Sequence, residues 1–142
     1  MKKNISVALL CLMLLSAAGC GNTERSSSVG NVDIDLTALS STMVYAEVYN
    51  ITTKPEDYIG KTIKVNGVYY TVSEGEQVFH YVVIQDTAAC CAQGMEFIWS
   101  GGGTYPDDYP RPQTPIEMTG VLDSYDEHGD TYYYLAIDDL VF

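Results

Sequence analysis

Two stretches of the chain decide the fold: residues 63–68, with the sequence IKVNGV, and residues 116–121, with the sequence IEMTGV. They match position by position at an offset of 53 residues, and the match continues into the next predicted strand, where Tyr81 corresponds to Tyr134. Alternating apolar and polar residues indicate strands with one buried face. A glycine inside a strand commonly marks a bulge or a sharp bend. The repeat therefore predicts two strand pairs of one design.

Five strands follow from this repeat, and they are expected at about residues 62–73, 77–86, 95–100, 116–125 and 131–141. Two sharply bent strands among five favour a small closed or half-closed barrel. Ahead of the strands, Val44, Val48 and Ile51 fall on one stripe of a helix, and Pro55 disfavours its continuation. The fold class that the sequence predicts is mainly all-β, a five-stranded barrel over residues 41–142 with one N-terminal helix.

The N-terminus has the parts of a bacterial signal peptide. Lys2 and Lys3 give a positive start, residues 5–15 are apolar with one exception, and small residues lead to Cys20. A membrane-spanning helix needs about 20 apolar residues, so this run is too short to span. We therefore expect a signal peptide over residues 1–19.

Residues 15–20, LSAAGC, resemble a bacterial lipobox, whose cysteine receives a diacylglyceryl group and becomes the first residue of the mature protein. We expect lipidation at Cys20, with residues 20–40 forming a lipidated N-terminus and flexible tether. Two acyl chains would give a stable anchor at the extracytoplasmic face of the cell membrane. An ordinary secretory signal with an accidental cysteine is the alternative.

The predicted mature chain is strongly acidic, with five basic and nineteen acidic residues and a formal charge of −14. Binding to nucleic acid requires lysine and arginine to displace the counterions of phosphate groups, so we expect no nucleic-acid partner. Cations, sugars, peptides and basic proteins remain open as partners. The solubility of a surface protein by itself also accounts for this charge.

Three segments carry a resemblance to known families. Residues 55–67, PEDYIGKTIKVNG, are similar to the start of the first strand in OB-fold domains. Together with residues 89–97, ACCAQGMEF, and residues 105–110, YPDDYP, they resemble a family of uncharacterised small lipoproteins from Gram-positive bacteria. The Cys-Cys-Ala segment is similar, more weakly, to the C-terminal domain of a permease-associated family of bacterial membrane proteins. The resemblance implies an OB-like barrel and an extracytoplasmic location, and it brings no catalytic residues.

The link between the third and fourth strands departs from the usual OB-fold plan. Residues 101–115 contain four prolines and three glycines, which exclude a helix. Long links without regular structure are often functional or mobile. Tyr105 and Tyr109 are candidate ligand-binding residues here, as an aromatic platform. The favoured interpretation is that these tyrosines pack on the barrel and close one end of it.

Cys90 and Cys91 are the remaining thiols once the signal peptide is removed and Cys20 is lipidated. Three states are open to them: a strained disulfide between neighbours, two buried thiols, or a site for a soft metal such as zinc or copper. In the third case His80 or Glu96 would complete the site. His80 shares strand parity with Val82, so we expect it to point inward, where a histidine is usually a hydrogen-bonded core residue.

Catalytic signatures are scarce, so an enzyme is the minority interpretation. The acidic stretch at residues 123–130 lacks the spacing of a calcium loop and is predicted to be a solvated turn with Gly129 at positive φ. The first hypothesis is a membrane-anchored binding module for a soft metal ion or a permease-associated ligand. A structural lipoprotein that docks to an envelope protein complex is the second. A thiol-redox enzyme is the weakest, because the two cysteines lack Cys-x-x-Cys spacing.

Overall fold

The computed structural model describes residues 31–85 and 91–142. The elements in this part are β1 (Ile34–Asp35), helix α1 (Ser41–Thr53), β2 (Thr62–Glu74), β3 (Gln77–Gln85), β4 (Ala92–Trp99), β5 (Pro115–Glu127) and β6 (Asp130–Val141). Short 3-10 helices cover Leu36–Ala38 and Pro55–Asp57. The mainly β class with a single α-helix in this described part is confirmed, and each of the five predicted strands is present.

The five long strands form a sheet whose pairing order returns to its start. The order is β2–β3–β4–β6–β5, and β5 pairs again with β2, so each of these strands has two neighbours within the ring. All of these pairs are antiparallel except β4 with β6, which is parallel. This closed order is the one expected of the predicted barrel. The inward side chains of the ring form one continuous apolar core.

The two repeated glycines have equivalent surroundings. A Cβ atom built on Gly67 would lie 2.7 Å from the carbonyl oxygen of Val83, and one on Gly120 would lie 2.8 Å from that of Ala136. Val83 and Ala136 are themselves 53 residues apart, so the sequence repeat is a repeat of packing. The β5–β6 register shifts between Met118 and Gly120, as a bulge does. Close approach of the neighbouring strand is what requires glycine at both positions.

Helix α1 packs its predicted stripe against the barrel. Val48 and Ile51 are buried in the same core as the strands, and Val44 lies at its margin. Burying a side chain of this size contributes about 1.5–3 kcal/mol, so these contacts hold the helix in place. The helix ends at Thr53, one residue ahead of the Lys54-Pro55 pair that disfavours its continuation.

The folded unit extends N-terminal of the boundary expected at Ser41. Asp33 exchanges hydrogen bonds with Thr62, at 2.9 and 2.8 Å, and β1 pairs in parallel with the start of β2. Leu36 is fully buried in the core. Residues 33–40 therefore belong to the domain and not to the tether, because a single buried leucine fastens them to the barrel. The predicted signal peptide and the lipidation site at Cys20 lie outside the described residues.

Candidate functional site

The wall of the barrel opens where β3 and β4 diverge. These strands pair from Gln85 with Ala92 as far as Tyr81 with Glu96, and their pairing ends there. Residues 77–80 of β3 and 97–99 of β4 continue apart, each held on its other side by β2 or β6. A strand edge without a neighbour presents backbone N–H and C=O groups to its surroundings.

The space between these diverging strands is a groove of about 510 Å³. Its lining consists of residues 77–80 of β3, residues 96–99 of β4, Tyr109, and residues 125–127 of β5. The last group belongs to the β5–β6 hairpin, which extends past the barrel because β6 pairs with β4 only from Tyr134 onward. We call this site the acidic groove, since three of the described lining residues are carboxylates and none is a lysine or an arginine.

Glu96 is the central residue of this surface, because it lines the acidic groove and both smaller cavities beside it. It pairs across the ladder with Tyr81 and Tyr134, and the hydroxyl of Tyr125 donates to both of its carboxylate oxygens at 3.3 Å. Desolvation by burial raises the pKa of Glu96, and the nearby charge of Glu127 raises it further, while the Tyr125 hydrogen bond lowers it. The Glu96 carboxylate is thus partly desolvated and surrounded by tyrosines.

The Glu96 carboxylate also affects the pKa of tyrosines around it. Burial raises the pKa of Tyr125 to about 12, and the neighbouring Glu96 carboxylate adds to the shift. Its ring stacks on that of Tyr132 with centroids 5.4 Å apart, and the ring of Tyr134 lies 5.8 Å away. Because burial raises the pKa of Tyr125 and also that of Tyr134, these two phenols stay protonated at neutral pH and present neutral aromatic faces and hydroxyl donors beside a carboxylate.

An aromatic cluster around His80 closes the inner end of the groove. His80 Nδ1 lies 2.8 Å from the hydroxyl of the fully buried Tyr69, and its ring stacks on Tyr109 at 4.3 Å. Phe97 lies 5.9 Å from the same ring. Burial lowers the pKa of His80, which keeps its imidazole neutral at physiological pH. His80 is hydrogen-bonded as predicted, but it is half-buried and lines the groove instead of lying within the core.

The two candidate ligand-binding tyrosines of the 101–115 link have different positions. Tyr109 is half-buried, packs on His80 and Trp99, and forms part of the groove wall. Tyr105 is 43% exposed and contacts the cluster from outside, with its ring 5.2 Å from that of His80. Backbone hydrogen bonds join Gln113 and Thr114 to Tyr69 of β2. The link therefore covers one end of the barrel, as the favoured interpretation predicts.

The structure separates Cys91 from the other two described candidate metal ligands, His80 and Glu96. Cys90 lies outside the described residues, and Cys91 is exposed just before β4. Cys91 is five residues from Glu96 along this strand, and His80 is five residues from Gln85, the partner of Ala92. At 3.3 Å per residue each separation is roughly 16 Å, whereas zinc ligands lie within about 2.3 Å of the ion. Within residues 31–85 and 91–142, no three His, Cys, Asp or Glu side chains are placed to hold a metal ion.

The sequence analysis missed the β5 side of the groove because it assigned the acidic stretch 123–130 to a turn. In the structure β5 runs to Glu127 and β6 starts at Asp130, so only His128 and Gly129 form the turn, both at positive φ. The positive φ of Gly129 is confirmed and most of this stretch is exposed to solvent as predicted, whereas its assignment to a turn is wrong outside residues 128–129. Alternation of Tyr125 and Glu127 with exposed residues was the available signal. A strand pairing on past the barrel places these two side chains in the groove.

The comparisons with other proteins leave the site to be interpreted from its own chemistry. No family model matches the chain, and no curated protein is significantly similar to it. The described part of the chain contains no helix long and apolar enough to cross a bilayer.

Proposed function

We propose that this protein is a binding module on the extracytoplasmic face of the cell membrane, anchored by lipid on Cys20, that holds its ligand in the acidic groove. The observation that carries the proposal is the opening between β3 and β4, where aromatic side chains and carboxylates surround a space of about 510 Å³. Concave sites with apolar walls and a few converging polar groups are typical of ligand binding.

The position of the groove supports the same proposal. We interpret the closed order of five strands as an OB-like barrel, in line with the resemblance of residues 55–67 to OB-fold domains. OB folds bind their ligands on the face of the second and third strands, beside the turns that join strands one to two and four to five. In this chain those are β3, β4 and the β2–β3 and β5–β6 hairpins, which form or flank the groove.

The anchor is tested by the mass of the native N-terminus. We expect mass spectrometry of the mature protein to show a diacylglyceryl adduct on Cys20, and Cys20→Ser should move the protein out of the membrane fraction. An unmodified N-terminus at another residue would contradict the proposed location.

Ligand capture is tested by photo-cross-linking in intact cells. A photoreactive amino acid replaces Ile98, which lines the groove, or Val121, which does not. The two are matched because both are strand residues with similar exposure, 43% and 40%. We expect an adduct of defined mass at position 98 and none at position 121. Equal labelling at both positions, or none at either, would contradict binding in the groove.

A further inference from the structure

The free strand edges in the groove fit an extended polypeptide. The ladder between β3 and β4 ends at Tyr81 and Glu96, and the described continuation of each strand leaves a gap between residues 77–80 and residues 97–99. An exposed strand edge is a template for another chain, since main-chain hydrogen bonds supply affinity and side-chain pockets supply specificity. A small molecule would leave these backbone groups unused.

The side chains of the groove fit a positive charge. Glu96 lies where the β3–β4 pairing ends and the groove begins, while Asp126 and Glu127 line the β5 side. Phe79 lines the groove and, together with Glu96 and Tyr125, a smaller cavity beside it. Aromatic faces and a partly desolvated carboxylate together favour an ammonium or guanidinium group, through cation–π attraction and a charge-assisted hydrogen bond.

The charges around the groove disfavour an anionic or a neutral ligand. The one ion pair found in the described part of the chain, Lys64 with Glu117 at 3.1 Å, lies on the β2–β5 side of the barrel. The groove carboxylates therefore have no basic neighbour among the described lining residues. An anionic ligand would meet like-charge repulsion from these carboxylates, and a neutral sugar would leave Glu96 without a counter-charge.

We propose that the acidic groove binds an extended polypeptide segment that carries a lysine or arginine, with its backbone along the free edges of β3 and β4 and its cationic side chain at Glu96. This inference rests on the proposed function and specifies its ligand. The lysine or arginine enters from outside the barrel, where the tyrosines on either side of Glu96 hold its aliphatic stem.

The chain contains its own reporter for the test. Trp99 is the single tryptophan of the sequence, lines the groove, and packs against Tyr109 with ring centroids 5.2 Å apart. Its fluorescence in the full-length protein, purified in detergent, is titrated with three probes. The first is a blocked seven-residue peptide of alternating threonine and valine with a central lysine. The second carries acetyl-lysine instead, and the third is the blocked amide of lysine alone.

We expect saturable binding of the lysine peptide and at least tenfold weaker binding of the other two probes. The acetyl-lysine peptide removes the charge and keeps the backbone, whereas the lysine amide keeps the charge and removes the backbone. Equal affinity for the lysine and acetyl-lysine peptides would overturn the cationic subsite. Equal affinity for the peptide and the amide would overturn the strand-edge contact, as would failure of the peptide to bind.

A pair of charge-matched variants assigns the subsite. Glu96→Gln should weaken the lysine peptide at least tenfold, while Glu56→Gln, an exposed position away from the groove, should leave its affinity unchanged. The same loss in both variants would overturn the role of Glu96. An adduct at position 98 in cells that proves to be a sugar or lipid would refute this inference and leave the proposed function intact. The absence of any adduct there would refute both.

Discussion

The two sides of the barrel wall differ in how completely their strands pair. Between β2 and β5 the ladder is continuous from Thr62 with Val121 to Val68 with Pro115, and the repeated glycines of these two strands let β3 and β6 approach them closely on their other sides. Between β3 and β4 the ladder stops halfway and the strands separate around a groove. The closed side carries the sequence repeat, and the open side carries Glu96 and the aromatic cluster. Closely packed backbone stabilises the closed side of the fold. The candidate binding residues lie on the open side, where β3 and β4 stop pairing.

The largest expected effect is on the closed side. Gly67→Val and Gly120→Val should each lower the free energy of unfolding by more than about 1 kcal/mol, because a Cβ would lie under 3 Å from the backbone of the next strand. Denaturant titration of the purified chain measures this change. Gly94→Val is the matched control, since a Cβ there would meet only side-chain atoms at 3.7 Å. Neutral substitutions at both repeated glycines would contradict the packing repeat.

The next effect separates the two tyrosines that cover the open end. Tyr109→Ala should lower the free energy of unfolding by about 2 kcal/mol, since its ring packs on both His80 and Trp99. Tyr105→Ala should lower it by less than about 1 kcal/mol, because that side chain is largely exposed. Thermal unfolding of the two variants compares them directly. Equal losses would mean that the outer ring is as much part of the core as the inner one.

A smaller effect depends on pH and comes from His80. Burial lowers its folded pKa below the usual value of about 6.5, so the unfolded chain binds the proton more readily. Stability from the neutral ring is complete above about pH 6.5 and is lost as the pH falls through the folded pKa. Unfolding curves between pH 8 and pH 5 should show this decline.

Two variants assign that decline to one histidine. The double variant His80→Phe with Tyr69→Phe keeps the aromatic stack and removes both partners of the 2.8 Å hydrogen bond, so its stability should vary less over this range. His128→Asn should retain the decline, because His128 lies exposed in the β5–β6 turn at a φ of 53° that asparagine tolerates. An unchanged slope in the double variant would assign the titration to another group.

The smallest effect on stability is expected at Glu96, where a substitution should stabilise the protein instead of destabilising it. Because burial raises the folded pKa of this carboxyl, its ionised form is disfavoured in the native state at neutral pH. Glu96→Gln should therefore raise the melting temperature at pH 7. The corresponding gain in the free energy of unfolding is less than about 1 kcal/mol. The gain should shrink as the pH falls through the raised pKa. A lower melting temperature than that of Glu56→Gln would show Glu96 to be a stabilising residue.

Much of the fold followed from local patterns. The 53-residue repeat, the Val44–Val48–Ile51 stripe and the proline after Lys54 predicted the strands and the helix, because each reflects alternation, periodicity or a backbone restriction within a few residues. The N-terminal boundary was wrong because burial of Leu36 depends on a barrel face built from distant strands. Of the candidate site residues, His80, Glu96 and Tyr109 do lie together on the groove.

What the sequence alone determined is which side chains point inward along each strand, since alternation sets strand faces and a glycine permits close approach wherever the partner lies. It also determined the acidic charge that disfavours nucleic acid. Only the tertiary structure decided where β3 and β4 stop pairing, and hence that Glu96 faces Tyr125 while Cys91 lies far from His80. Strand divergence arises from the closure of the whole ring, and no local stretch of sequence encodes the curvature of all five strands.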